Sequence, residues 1–388
     1  MNMTTLADIT APTRETGLRM PLDWSAVREQ FPALAKWTHL NTATFGLLPQ
    51  RATEAVAGHW AHRDEFACAD FLDWYKDADR LRAAIGRLIH ATADDIAFVG
   101  NSSGALGMVV RGMEWQQGDN IVTLAGEFPH FQYLGALVER AGVEIREPPF
   151  ERFYDSIDER TRLVGISEAN YRNGFRPPLI EISGFLRERG ITFFIDGTQS
   201  VGALQFDVQA VDPDVLAVHG YKWMCSPTGA GFMYVAPRLR AKLPPNAVGW
   251  RSHRTWREVD ELHHGRPVLT DRAERYEGGG LPSPLLYAME ASIDLMFEIG
   301  PDAIERLVLS LAAGARARLR RLGAETEDNG SHIVGAKLPG ADSSRLAREL
   351  ESRRVLVAAR DGFLRVSPHF YNDEGDLDRL EEELRRLL

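Results

Sequence analysis

The 388-residue chain has little cysteine, no long apolar run and no excess of positive charge. Its two cysteines, Cys68 and Cys225, supply neither a disulfide framework nor a zinc cluster, and they fit a reducing compartment. No stretch approaches the ~20 consecutive apolar residues of a membrane span. Residues 1 to 20 hold no continuous apolar segment, so no signal peptide is expected and the expected location is the cytoplasm. A formal charge of −10 argues against a nucleic-acid partner, because phosphate backbones require concentrated Lys and Arg. Internal repeats and low-complexity segments are missing too. His263-His264 and the Trp250–His253 loop have no partners at ligand spacing, so no metal is expected. What remains is globular in character, 44% hydrophobic and 26% charged, and long enough for two lobes around a sizeable core.

One stretch, Ile191 to Val235, organises the rest. The apolar run Ile191–Ile195 stops at Asp196, a second run, Val215–Val218, leads into His219-Gly-Tyr-Lys222, and a third, Phe232–Val235, follows a glycine-rich turn. Short continuous apolar runs bounded by turns read as strands buried on both faces. Ligands of such sheets bind just beyond the strand ends, which brings the Asp196 carboxylate and the Lys222 amine towards one pocket. That pair suits pyridoxal phosphate, which a lysine holds as a Schiff base while a carboxylate keeps its ring nitrogen protonated. Taken singly, each residue reads as a turn-capping acid or a surface lysine.

Asp196-Gly-Thr-Gln199-Ser-Val-Gly202, then Tyr221-Lys222-Trp223 and Pro227-Thr-Gly229-Ala-Gly231, resembles the core of the class V aminotransferase and cysteine desulfurase superfamily. The resemblance runs from about residue 36 onward. It implies the pyridoxal-phosphate transferase fold of type I: an α/β architecture with a large domain on a mainly parallel central sheet flanked by helices, and a smaller α/β C-terminal domain. The expected divisions are residues 1–35 as an arm and short helix packing with the small domain, 36–270 as the cofactor domain and 271–388 as the small domain. Trp24 to Phe31 reads as that short helix, with Asp23 or Ser25 as its cap.

Along the chain, His39–Gly46 is a strand turning into a loop, and the resemblance makes Thr42, Ala43 and Thr44 candidates for lining the substrate. Ala52 to Ile89 reads as helices, with Phe66, Phe71, Trp74 and Tyr75 as core candidates. After the strand Ile96–Val99, Gly100-Asn-Ser102-Ser103-Gly104 opens an apolar helix. Physically this is an anion site, with free N–H groups and the positive helix end converging, though the same residues also serve as an ordinary cap. In the superfamily this position holds the cofactor phosphate, so Ser102, Ser103 and Gly104 are assigned to it, with His219 and Tyr221 as further phosphate ligands. Many relatives stack a histidine on the ring where this chain has Phe128, whose π face suffices for stacking. His130 either reaches substrate or is, as a lone histidine more often is, a satisfied loop residue. Tyr171, in Glu168-Ala-Asn-Tyr171-Arg172-Asn-Gly174, and Gln199 are implied neighbours of the phenolic oxygen, while Ser200 either joins the site or only shapes the turn. Arg172 and Arg176 either meet substrate or are solvated. Tyr276–Gly280 matches a glycine turn that crosses a dimer interface to the neighbouring phosphate, with Gly280 where relatives commonly carry threonine. Beyond it, Ser283 to Met296 continues as a helix toward Gly300, and the small lobe reads as helices 303–321, 343–352 and 375–388 with strands near 332–338 and 355–358. In Leu364-Arg365-Val-Ser367 the resemblance gives Arg365 the substrate α-carboxylate, in the bidentate fork natural to guanidinium.

The implied activity is that of a homodimer with a shared active site working on an α-amino acid, and for transamination on a 2-oxo acid as well. Lys222 moves the α-proton while Asp196 holds the ring electron-poor. Persulfide-forming desulfuration is rejected, since only Asp361–Leu364 separate Arg360 from Arg365 and no cysteine lies there. Transamination is the first expectation. Alternatives are β/γ-elimination with C–S cleavage, epimerisation and, remotely, a catalytically silent pyridoxal-phosphate binder. A nucleotide-binding α/β protein lacks its motifs here.

Overall fold

The apolar runs of the sequence become the inner strands of one seven-stranded sheet. The computed structural model describes residues 23–388, and the arm expected over residues 1–20 lies outside them. After the two-residue strand β1 (Thr38–His39), the chain forms β2 (Ile96–Val99), β3 (Asn120–Val122), β4 (Glu144–Arg146) and β5 (Thr161–Ser167). β6 (Thr192–Asp196), β7 (Val215–His219) and β8 (Gly231–Val235) complete the sheet. The strand order is β2-β8-β7-β6-β5-β3-β4, with β8 antiparallel to both neighbours and all other pairs parallel. Alternate residues enter two separate clusters, as the pleat requires. Phe193, Ile195, Leu216 and Val218 join Ile182, Met289 and Ile293 of helices Leu179–Glu188 and Ser283–Ile299. Phe194, Val215 and Ala217 join Leu106, Val109 and Val110 of helix Ser102–Gly112 on the other face. Register aligns Ser167, Asp196 and Ala217 across β5, β6 and β7, which brings Asp196 and His219 to the carboxyl ends of the parallel strands.

The rest of the chain builds a smaller sheet. β9 (Glu325–Thr326), β10 (Val334–Lys337), β12 (Ala358–Arg360) and β13 (Phe363–Val366) run antiparallel in the order β12-β13-β10-β9, while β11 (Val355–Leu356) pairs in parallel with β1. The single strand expected near 355–358 is thus two, because its halves serve different partners. Asp361 (φ 47°) and Gly362 (φ 83°) turn β12 into β13 with both φ positive, which suits the type I′ hairpin preference for Asp-Gly. Helices Pro301–Arg321, Ser343–Ser352 and Glu374–Leu387 cover the sheet through Leu311, Leu346 and Leu377.

Helix Trp24–Glu29 is capped by Asp23, which accepts from the N–H groups of Ser25 and Ala26, so Ser25 is not the cap. Arg28 ties this helix to the final lobe through Tyr371 O (2.7 Å) and both oxygens of Asp376 (2.7 and 3.0 Å). We place the start of the small lobe near Gly300 rather than 271, since Ala273, Tyr276 and helix Ser283–Ile299 pack into the two clusters of the large sheet. Among the described residues no helix is long and apolar enough to cross a membrane.

Candidate active site

β6 ends in buried Asp196, and the following turn curls back so that the Thr198 N–H donates to Asp196 Oδ1 at 2.8 Å. The other oxygen faces His130 Nε2 at 3.6 Å. Neither ring nitrogen of His130 has a hydrogen-bond partner, and burial lowers its proton affinity while Asp196 opposes the fall. Lys222 follows β7. The chain has five lysines, and Lys36, Lys76, Lys242 and Lys337 are exposed whereas Lys222 is buried. Burial pushes its amine down to about 7; Asp196 pulls the other way, and Arg365 and Arg360 add to the fall. Gly46 fixes the turn from behind: its N–H donates to Tyr221 O at 3.0 Å, and a Cβ there would collide with the Lys222 carbonyl.

A cavity of about 110 Å³ lies between these groups, lined by Asp196, Lys222, Phe128, Tyr171, Gln199 and Tyr221, with Ser102, Ser103 and His219 at one end. Phe128 is 43% exposed, with its ring centre 5.7 Å from Lys222 Nζ and edge-on to Tyr171 at 5.5 Å. Gln199 is held at both ends of its amide. Nε2 donates to Ala43 O and Oε1 accepts from Trp223 Nε1, each at 3.0 Å, which leaves one amide N–H for the cavity. Ala43 therefore contributes a carbonyl, its methyl group being core, and the buried Thr42 hydroxyl pairs with the Tyr371 hydroxyl at 2.7 Å. Of the three loop residues expected to line the substrate, only Thr44 turns towards the arginines.

At the helix end, Asn101 caps Ser102–Gly112 and its side chain accepts the Gly104 N–H at 2.7 Å. That N–H is spoken for, so Gly104 drops out of the free donors and the N–H groups of Ser102 and Ser103 remain. His219 Nε2 accepts the Gly229 N–H at 3.1 Å, which leaves the proton on Nδ1. Burial, reinforced by Lys222, takes this imidazole to about 4, so it is a neutral donor at pH 7. Tyr221 is wedged between His219 (4.3 Å) and Phe45 (4.7 Å). Gly280 does not line the cavity within a single chain, and a Cβ added there would meet nothing within 4 Å.

The small lobe meets the site through Tyr171, a cavity residue. Buried Arg365, on β13, donates Nη1 to Tyr171 O at 2.6 Å and Nη2 to Thr44 Oγ1 and Asn41 Oδ1. Its Nε has no partner. Tyr171 lines the cavity, and its hydroxyl bonds Asp361 Oδ2 at 3.3 Å. Arg172 and Arg176 are paired, with Asp361 and Glu168 respectively, each at 3.6 Å.

Sequence reasoning missed several residues here. Thr198 Oγ1 accepts the His219 N–H at 3.0 Å and so locks the ends of β6 and β7 together. Ser167 lines the cavity and gives both its N–H (2.8 Å) and its hydroxyl (2.6 Å) to buried Glu127, whose carboxyl burial pushes up to about 7. Ser200 was not missed: it donates to Glu168, likewise raised to about 7 by burial, which fits the turn-shaping reading. The Glu127 signal was an acid embedded between apolar runs beside Phe128. His130 carried no signal beyond being a histidine.

Comparison with known proteins identifies the family and the fold. The model of the family described as Aminotransferase class-V matches residues 72–380. Isopenicillin N epimerase of Streptomyces clavuligerus is 28% identical over 396 residues, covering 94% of this chain and 98% of that protein. A probable cysteine desulfurase of Methanothermobacter thermautotrophicus is 24% identical, covering 93% and 97%. Among solved structures, a mutant of C-DES with glycine covalently linked to its PLP cofactor superimposes with a TM-score of 0.85 at 23% identity, over 92% of this chain and 98% of that one. The chain belongs to the class V aminotransferase family, whose cofactor is pyridoxal phosphate.

Proposed function

We propose that this chain is an amino-acid-processing enzyme in which Lys222 carries the cofactor and moves the substrate α-proton, and that the outcome is transfer of the amino group. The residues present fit pyridoxal phosphate. A buried, readily neutral amine faces a buried carboxylate, a flat ring lies beside them, and an open helix N-terminus stands at the far end. When bound, the cofactor supplies an aldehyde that condenses with amines and a ring that accepts an electron pair from the substrate Cα. Ser102, Ser103 and His219 would hold its phosphate, Phe128 would cover one face, Asp196 would keep a proton on the ring nitrogen, and Gln199 would donate to the phenolic oxygen. Arg365 would grip the substrate α-carboxylate.

The observation that carries this reading is the single buried lysine with its amine near neutrality, opposite Asp196 and within reach of Arg365. Phe128 has no proton to give, so Lys222 is the acid–base group available beside the reacting carbon. That favours outcomes needing one base. Persulfide chemistry lacks its nucleophile. Cys225 is buried with its thiol pushed up by burial, and Cys68 lies between helices Gln50–Phe66 and Phe71–Ile89. Epimerisation stays as a second reading because an isopenicillin N epimerase matches along nearly its whole length. We also read the chain as a homodimer, in which the Gly280 turn serves the neighbouring phosphate site. The test is a screen of amino acids against the holoenzyme, with 2-oxo acid, ammonia, sulfide and inverted stereocentre assayed together. Formation of a 2-oxo acid coupled to amination of an added 2-oxo acid supports transfer. Ammonia or sulfide release, or inversion alone, would replace it.

A further inference from the structure

Behind Tyr171, which lines the cavity, the small lobe brings more positive charge than one carboxylate needs. Arg360 and Arg365 sit on the two strands of one hairpin. Arg365 is directly opposite Ala358, and Arg360 is two residues along from Ala358. The two-residue period of a strand therefore turns both arginines to the same face, about 7 Å apart along it. Their guanidinium groups converge on one hydroxyl, Thr44 Oγ1, to which Arg360 Nη2 donates at 3.2 Å. Among the described residues neither has a carboxylate within 4 Å. Arg360 Nη1 bonds only the carbonyl of neighbouring Ala359, and Asp361, the nearest acid in sequence, is turned to Tyr171 and Arg172. Arg365 is 1% exposed and keeps an unpartnered Nε. Both charges are close enough to Lys222 to weaken its hold on a proton.

Two like charges on one face, one of them fully desolvated, are costly unless an anion joins them. One α-carboxylate satisfies Arg365 and leaves Arg360 unmatched. We propose that the substrate is an amino acid with a second anionic group on a short side chain, an amino diacid, with Arg365 taking the α-carboxylate and Arg360 the side-chain acid. Because both forks meet at the Thr44 hydroxyl, two acids held by them must sit on one short carbon chain. This inference rests on Lys222 being the cofactor lysine of an amino-acid enzyme.

The test titrates the visible absorbance of the holoenzyme with matched pairs, L-glutamate against L-glutamine and L-aspartate against L-asparagine. Within at least one pair the acid is expected to bind tighter by roughly ten- to a hundredfold, the scale of one charge-assisted pair. Arg360→Gln is expected to abolish that preference by weakening the acid more than the amide. Equal affinities of acid and amide in both pairs of the unaltered enzyme would overturn the proposal. So would an Arg360→Gln enzyme that weakens acid and amide alike, because both arginines would then grip the α-carboxylate. If Arg360→Gln does not fold, the acid-to-amide ratio of the unaltered enzyme still decides. A protein that takes up no cofactor at Lys222 fails the parent reading, whereas one that takes it up and ignores the side-chain acid fails this inference alone.

Discussion

The sheet end and the hairpin end of the site are built on different principles. At the sheet end an acid is built in: Asp196 draws Lys222 towards its charged form, the Asp196 carboxylate is fixed by the Thr198 N–H and faces His130 at 3.6 Å, and Thr198 also ties β6 to β7. At the hairpin end, Arg360 and Arg365 are held by carbonyls, a hydroxyl and an amide, with no acid against them. A site that keeps its cofactor for many turnovers gains from an internally balanced, rigid cradle. A site that must bind and release an anion gains from a charge left unmatched until the ligand arrives. On the function proposed above, the difference separates what would hold the cofactor from what would choose the substrate.

The sharpest way to break the comparison is at the sheet end. Lys222→Ala should remove covalent cofactor binding and reduce turnover by roughly 10⁴-fold, the upper range for a positioned acid–base group, read by steady-state kinetics and the loss of the visible band. Asp196→Asn should leave the cofactor attached but lower turnover by about 10²–10³-fold, the range for a preorganised charge. At the hairpin end, Arg365→Gln should raise the amino-acid dissociation constant by roughly ten- to a hundredfold in the absorbance titration, with smaller change in the band itself. The same variant should also shift the sheet end. Arg365 helps push the Lys222 amine down to about 7, so its removal should raise that midpoint. In the unaltered apoprotein, the rate of cofactor uptake should climb as the amine becomes neutral, between about pH 6 and 8, and then level off. In Arg365→Gln the climb should move to higher pH. The smallest effect belongs to Phe128→Ala, which loses a stacking surface and should weaken cofactor affinity by up to about tenfold.

The two ends also differed in how legible they were. The sheet end was readable because its chemistry follows from local pattern: an apolar run stopping at Asp196, and another leading into Lys222 through His219. Gln199 and Phe128 came with it through their places in the motif. Details that depend on which N–H a side chain captures were not readable. Asn101 takes the Gly104 N–H, Tyr171 turns its hydroxyl to Asp361, and Thr42 pairs with Tyr371 across the two lobes. The hairpin end was read through Arg365 alone. Asp361-Gly362 is a strong hairpin signal, and alternation along β12 would have brought Arg360 to the same face, but the register with Ala358 only appears once the strands are paired. The lobe boundary that we place near Gly300 was not legible for a related reason. Helix Ser283–Ile299 follows the weakly patterned region, yet Met289 and Ile293 bury against the large sheet.

The most direct measurement is reduction of the pyridoxal-phosphate-loaded protein with borohydride, followed by peptide mass mapping. The account predicts a cofactor-sized mass increase on the peptide holding Lys222, with Lys36, Lys76, Lys242 and Lys337 unmodified. A label on one of those exposed lysines instead, or no label on a protein that nonetheless turns over amino acids, would contradict it.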